Sequence, residues 1–132
     1  CNKSLYYYRI NAESVTHRYD ANAVETYEKH LKLIYEFYVG KSYPDFENDY
    51  NVRVFFDMIY CVVNKFCHID NPEHYRDRNK EFLKMIVRNP FQHSLESIKT
   101  DGFSISEKVL AFCLKKKFFL CMNVLIHIVQ SV

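Results

Sequence analysis

The chain has 132 residues, enough for one domain with a real core and too few for two. Apolar residues make up 48% and aromatics 17%, which excludes a disordered segment, and a formal net charge of +2 is too small to imply nucleic-acid binding. Two glycines and three prolines favour long helices over a turn-rich sheet, and they argue against a complete α/β enzyme, whose tight turns and phosphate loops need glycine.

In chain order, Leu5 to Ile10 is rich in Tyr and Ile and is predicted as a short strand, with Asn11 to Tyr19 as a polar loop. From Ala21 to Val39, the residues Val24, Tyr27, Leu31, Ile34, Tyr35 and Tyr38 recur at steps of three and four, the spacing of an amphipathic helix. Gly40 stands where that helix should stop, and Tyr43-Pro44 opposes continuation. A second helix is predicted from Asp45 to Cys67, with Phe55, Met58, Ile59, Val62, Val63 and Phe66 inward and Asp45, Glu47 and Asp49 at its dipole-favoured start. Asn71 is the expected cap and Pro72 the expected first residue of a third helix to Val87. That helix is charged, with Tyr75, Phe82, Leu83 and Ile86 facing inward, and belongs on the surface.

Asn89-Pro90 interrupts the pattern, and Phe91 to Ile98 reads as a short helix with Phe91, Leu95 and Ile98 inward. Ser104-Ile105-Ser106-Glu107 has the form of a capping box and should open a helix to Lys116. A last helix, Lys117 to Ser131, is apolar around most of its circumference. No repeat of 30–45 residues supports a solenoid. The expected fold is mainly α: a short N-terminal strand and loop over residues 1–19, then a bundle of five or six helices over residues 20–132.

The five cysteines are odd in number, form no C-x-x-C pair, and four lie in apolar helical patterns, so reduced core thiols are expected. No basic region followed by an apolar run marks a signal peptide. Phe118 to Val129 holds ten apolar residues in twelve, short of the ~20 that span a bilayer. The chain opens on Cys1 rather than Met, which suggests processing or excision from a longer protein.

The histidines at 17, 30, 68, 74, 93 and 127 are scattered without metal-ligand spacing, and no glycine-rich phosphate loop exists. Lys115-Lys116-Lys117 has two readings: complement to a helix C-terminus, or, with Phe118-Phe119-Leu120, a peripheral membrane contact. Arg9 precedes a turn holding Ser14, Thr16 and His17. Such a loop can grip a phosphate through a planar guanidinium fork, hydroxyls and backbone N–H groups. A satisfied arginine on an exposed strand edge explains the same residues.

The run Tyr7-Tyr8-Arg9-Ile10-Asn11-Ala12-Glu13-Ser14-Val15-Thr16-His17 resembles the Y-Y-R-x-x-x-x-S-x-T segment that ends the catalytic domain of bacterial family 2 glycosyltransferases. The aromatic helices, Asn89-Pro90-Phe91 and the lysine- and leucine-rich tail are similar to that family in style. The resemblance implies a parent with the inverting nucleotide-diphospho-sugar transferase fold. Such a parent uses a divalent metal (Mn or Mg) on an Asp-x-Asp loop and builds cell-surface polysaccharide at the cytoplasmic face of the plasma membrane. Arg9, Ser14 and Thr16 would approach the donor diphosphate. The partners would be a nucleotide-sugar donor and a glycan or lipid-linked acceptor, with no nucleic acid.

Many relatives carry histidine two residues after the arginine, where this chain has Asn11, so a metal role there is not implied. The Asp-x-Asp loop, donor-binding strands and general base are missing from these residues. The chain then reads as a C-terminal helical fragment, inactive alone, with no catalytic residue, metal or cofactor of its own. Its unpaired strand and apolar last helix favour self-association into a homo-oligomer. The rival class is a free-standing helical interaction module whose exposed Tyr and Phe dock a protein. A helical nucleic-acid binder is disfavoured because acids and bases interleave.

Overall fold

A computed structural model describes residues 18–41 and 45–130. The strand expected at Leu5 to Ile10 and the loop bearing Arg9, Ser14 and Thr16 lie outside the described residues. Six helices and no strand occur among those described: α1 (Ala23–Tyr38), α2 (Phe46–Cys61), α3 (Tyr75–Ile86), α4 (Phe91–Ser97), α5 (Ile105–Lys115) and α6 (Phe119–Gln130). The fold is mainly α, as the helical periodicity predicts.

α2 is the central element. It packs on α1 and α4, while the segment after it packs on α3, and α5 joins α4 to α6. Its position explains why more than one stripe of it is buried: Val54, Phe55, Met58 and Cys61 are enclosed, and so are Asn51 and Asp57. The sequence stripe finds Phe55 and Met58 but not the two polar residues, because burial on a second face comes only from flanking helices.

The 45–67 helix is not uniform. Val62–Phe66 forms a π turn, closed by Cys67 N–H donating to the Val62 carbonyl at 2.8 Å. The wider turn carries one extra residue, which rotates the residues beyond it and buries Phe66, Cys67 and His68 together. Asn71 does not cap α3 as expected. Its Nδ2 donates to the Lys65 carbonyl at 2.7 Å and its Oδ1 accepts from Glu73 N–H at 2.9 Å, so it seals the π turn's exit. The helix therefore starts three residues beyond Pro72, with His74 at the N-cap.

The core is dominated by Phe55, Phe66, Phe82, Phe91, Leu31, Met58, Met85, Leu114 and Met122. Phe82 links two layers, with its ring centroid 6.0 Å from Phe66 and 5.0 Å from Phe119. Met85, absent from the predicted stripe, is fully buried beside it, whereas Tyr75 stays partly exposed while stacking 5.2 Å from Phe119. Phe91, Leu95 and Ile98 face inward as predicted. The one polar tie across α2 and α4 that is fully enclosed is Ser94 Oγ donating to Asn51 Oδ1 at 2.9 Å. A buried pair of this kind holds because neither group has water to return to.

The capping box at Ser104 is present in both halves: Ser104 N–H donates to Glu107 Oε2 at 2.8 Å, and Glu107 N–H to Ser104 Oγ at 3.3 Å. At the other end of α5 the chain turns through Lys117 at φ 58°, so α6 begins at Phe119 and not at Lys117 as predicted. Phe118 N–H donates to the Cys113 carbonyl (2.9 Å) and Lys117 N–H to the Leu114 carbonyl (3.1 Å). This is the paired closure of a Schellman motif, with lysine in the position that glycine usually takes. α6 buries Phe119, Met122 and Ile126 and leaves Leu120, Val124 and Ile128 in solvent. No described helix is long and apolar enough to cross a membrane.

Candidate functional site

A recess with a volume of about 1250 Å3 lies between the C-terminal half of α1, the start of α2 and α4. It exists because α1 outruns its partners. Ala23, Val24 and Leu31 anchor the helix, but beyond Leu31 no residue of α1 is fully buried. Tyr35, predicted to face the core, is 47% exposed and forms part of the wall instead. Gly40, at φ 81°, ends the helix in a conformation that side-chain-bearing residues avoid.

The wall is aromatic. Tyr35 and Tyr38 from α1 meet Phe46 and Tyr50 from α2, with centroids 5.4 Å apart for Tyr35–Tyr50, 5.6 Å for Tyr38–Phe46 and 5.8 Å for Phe46–Tyr50. Tilted pairs at these separations suit the ring quadrupoles and hold the rings as one surface. Burial, with the fields of Tyr35 and Asp57 behind it, pushes the Tyr50 phenol above its ordinary value. The hydroxyl therefore stays protonated and donates to the Leu31 carbonyl at 3.4 Å, tying α2 to α1.

Polar groups line the rest. Asn48, Asn51, Asn89, His93, Ser97 and Lys99 contribute amide, imidazole, hydroxyl and ammonium groups. Asn48 Oδ1 is shielded from solvent and has no hydrogen-bond partner, an available acceptor in the wall. His93 Nε2 and Glu47 Oε1 approach to 3.9 Å at the exposed rim, which joins α4 to α2. Arg88 on Glu28, at 3.1 Å, braces α1 against the residues before α4.

Flat apolar rings beside convergent donors and acceptors make a binding surface for a ligand that has both apolar faces and hydroxyls. Saccharide rings have that make-up, with C–H faces above and below and hydroxyls around the edge. The recess exceeds the ~300–1,000 Å3 of ordinary small-molecule pockets and can take more than one such ring.

Among the described residues no three His, Cys, Asp or Glu side chains come together to hold a metal ion. The sequence also has no Asp-x-Asp. These residues do not fit a divalent-metal site, and the metal implied by the family resemblance is not assigned to them. The predicted diphosphate-binding residues Arg9, Ser14 and Thr16 lie outside the described residues, so their geometry toward the recess is not defined. Asp45 and Glu47, read from sequence as helix-start acids, both border the recess, and Asp45 is the N-cap at φ 61°. The residues that sequence reasoning missed are Tyr35, Tyr38, Phe46 and Tyr50. Their signal was an aromatic excess on both sides of Gly40.

Cys61, Cys67, Cys113 and Cys121 are free; the first three are buried as expected, but Cys121 is not a core thiol, because it lies beside Leu120 and Val124 on the exposed side of α6. Burial pushes the Cys61 and Cys67 thiols up to about 12, so both stay protonated and inert.

Compared with known proteins, the chain matches no family model, no curated protein and no solved structure.

Proposed function

We propose that this chain is the C-terminal helical portion of a family 2 type glycosyltransferase, which moves a sugar from a nucleotide-diphosphate sugar to a glycan acceptor in cell-surface polysaccharide synthesis. The observation that carries the reading is the Tyr7-to-Thr16 run, with its arginine and hydroxyls at the family's spacing, leading directly into a helical chain. The aromatic recess supports it, because flat rings beside side-chain amides suit the apolar faces and hydroxyls of a glycan.

In this reading Arg9, Ser14 and Thr16 approach the donor diphosphate in the parent enzyme, and the recess holds the acceptor chain. A divalent metal (Mn or Mg) belongs to the part of the parent that precedes Cys1. The work is done in the cytoplasm at the inner face of the plasma membrane. This chain alone binds without transferring.

The deciding experiment is to read the coding sequence upstream of Cys1 in the source genome. An Asp-x-Asp loop within the preceding ~150–250 residues, one domain's length, supports the proposal. A start codon directly before Cys1 refutes it. With the isolated chain, a nucleotide sugar plus manganese should leave Tm unchanged, and a clear rise would reveal a donor site in these residues.

The alternative, a free-standing protein-interaction module, is favoured by one feature: Leu33 and Phe37 stand 64% and 60% exposed on α1.

A further inference from the structure

The corner between α5 and α6 gathers cations and large apolar side chains in solvent. Lys115, Lys116 and Lys117 are all exposed, and none of them makes an ion pair among the described residues. Around them Phe112 is 54%, Phe118 46% and Leu120 63% exposed, and the Phe112 and Phe118 rings lie 6.2 Å apart. Each helix extends the apolar surface on the side away from its buried face. Exposed Ile105, Val109 and Phe112 succeed one another along α5, and Leu120, Val124 and Ile128 along α6, at steps of three and four.

Charge is just as uneven. From Ser104 to Val132 the sequence has four lysines (Lys108, Lys115, Lys116, Lys117) against one acid, Glu107. That acid is held in the capping box, away from the lysine triplet by two turns of α5. Next to the corner, Tyr75, Asn79, Lys117 and Phe118 line a cleft of about 380 Å3 that offers hydroxyl, amide and ammonium donors.

We propose that this corner docks the chain on the surface of an anionic phospholipid bilayer, with the lysines on lipid phosphates and Phe112, Phe118 and Leu120 at the acyl boundary. Charge selects this occupant over a second copy of the chain. A two-fold dimer through the corner would bring two lysine triplets together, and α5 and α6 supply only Glu107, already held in the capping box, to receive them. The mode of contact proposed is at the surface: the twelve described residues of α6 extend ~18 Å against a ~30 Å hydrocarbon core, and no described helix is long and apolar enough to cross it. A short apolar element alone holds a membrane weakly, and clustered lysines supply the second signal that stable contact needs. This inference does not depend on the glycosyltransferase reading.

The test is cosedimentation of the whole chain with vesicles of phosphatidylcholine alone and of phosphatidylcholine mixed with phosphatidylglycerol. Binding to the mixed vesicles only is expected, and it should be lost near ~1 M salt, where the Debye length falls to ~3 Å. Replacing the triplet (Lys115→Gln, Lys116→Gln, Lys117→Gln) should weaken binding about a hundredfold. The pair Phe118→Ser and Leu120→Ser should weaken it about tenfold with the lysines intact. Circular dichroism melts confirm that each variant is folded, and all five positions are solvent-exposed. Equal binding to both vesicle types, no binding to either, or a glutamine triplet that binds like the parent overturns the proposal. So does concentration-dependent self-association that Leu120→Ser abolishes, since the face would then belong to a second copy.

Discussion

Lys117→Gly should make this protein more stable, although it deletes a charge and a long side chain. Lys117 sits at φ 58°, the left-handed position of the Schellman turn between α5 and α6. An L-residue there brings Cβ toward the following carbonyl at a cost of about 1–2 kcal/mol. Glycine escapes that cost but surrenders about 0.5–1 kcal/mol of extra freedom in the unfolded chain. The difference leaves a gain of about 0.5–1 kcal/mol. For 132 residues the unfolding entropy is about 0.28 kcal/mol/K, so Tm should rise by about 2–4 °C in a calorimetric melt. Lys117→Ala is the control: it removes the same ammonium and leaves the strained backbone, so its Tm should stay within about 1 °C of the parent. If alanine raises Tm as much as glycine, repulsion within the lysine triplet is responsible and the strain argument fails. If glycine lowers Tm, the side chain contributes packing that its exposure does not suggest. The variant also separates stability from docking, because a sturdier Lys117→Gly chain should still hold anionic vesicles less tightly than the parent.

The buried groups give two further expected outcomes. Asp57 is 5% exposed, and burial raises its carboxyl above the ordinary 3.8, with Arg53 at 3.1 Å pulling it back down. A folded value above the unfolded one means that the stability this group adds is complete below pH ~4 and is lost as pH rises through the raised folded value. An NMR titration of the Asp57 carboxyl carbon should therefore give a value above 3.8, and Arg53→Gln should push it higher still; a fall in that variant would show that Arg53 is not the partner that matters. For thiols, a native-state disulfide-exchange reagent should modify exposed Cys121 quickly and leave buried Cys61 and Cys67 untouched until the protein unfolds. Rapid native labelling of either buried thiol, located by mass spectrometry, would contradict the packing around the π turn.

Local chemistry was legible wherever one residue type suffices to produce the structure. The capping box at Ser104 and Glu107 forms as written, because a hydroxyl and a carboxylate three residues apart satisfy free N–H groups without help from the rest of the fold. The inward faces of α4 and the stop at Gly40 were legible for the same reason. The candidate site was less so. Tyr35 and Tyr38 carry the same periodicity as Val24 and Leu31, and periodicity marks a face without saying whether another helix will cover it.

By itself, then, the sequence determined a mainly α chain, the helix stop at Gly40, the capped start at Ser104, the inward face of α4, and the tyrosine–arginine run that suggests its parent. These rest on interactions within a few residues, which spacing expresses directly. Only the tertiary structure decided that α2 lies at the centre with Asn51 and Asp57 enclosed, that a π turn buries Cys67 and His68, and that α1 projects far enough to open an aromatic recess. It also decided that the lysine triplet stands at a bare apolar corner. Each of these depends on which helices meet, and burial is a property of the partners as much as of the residue.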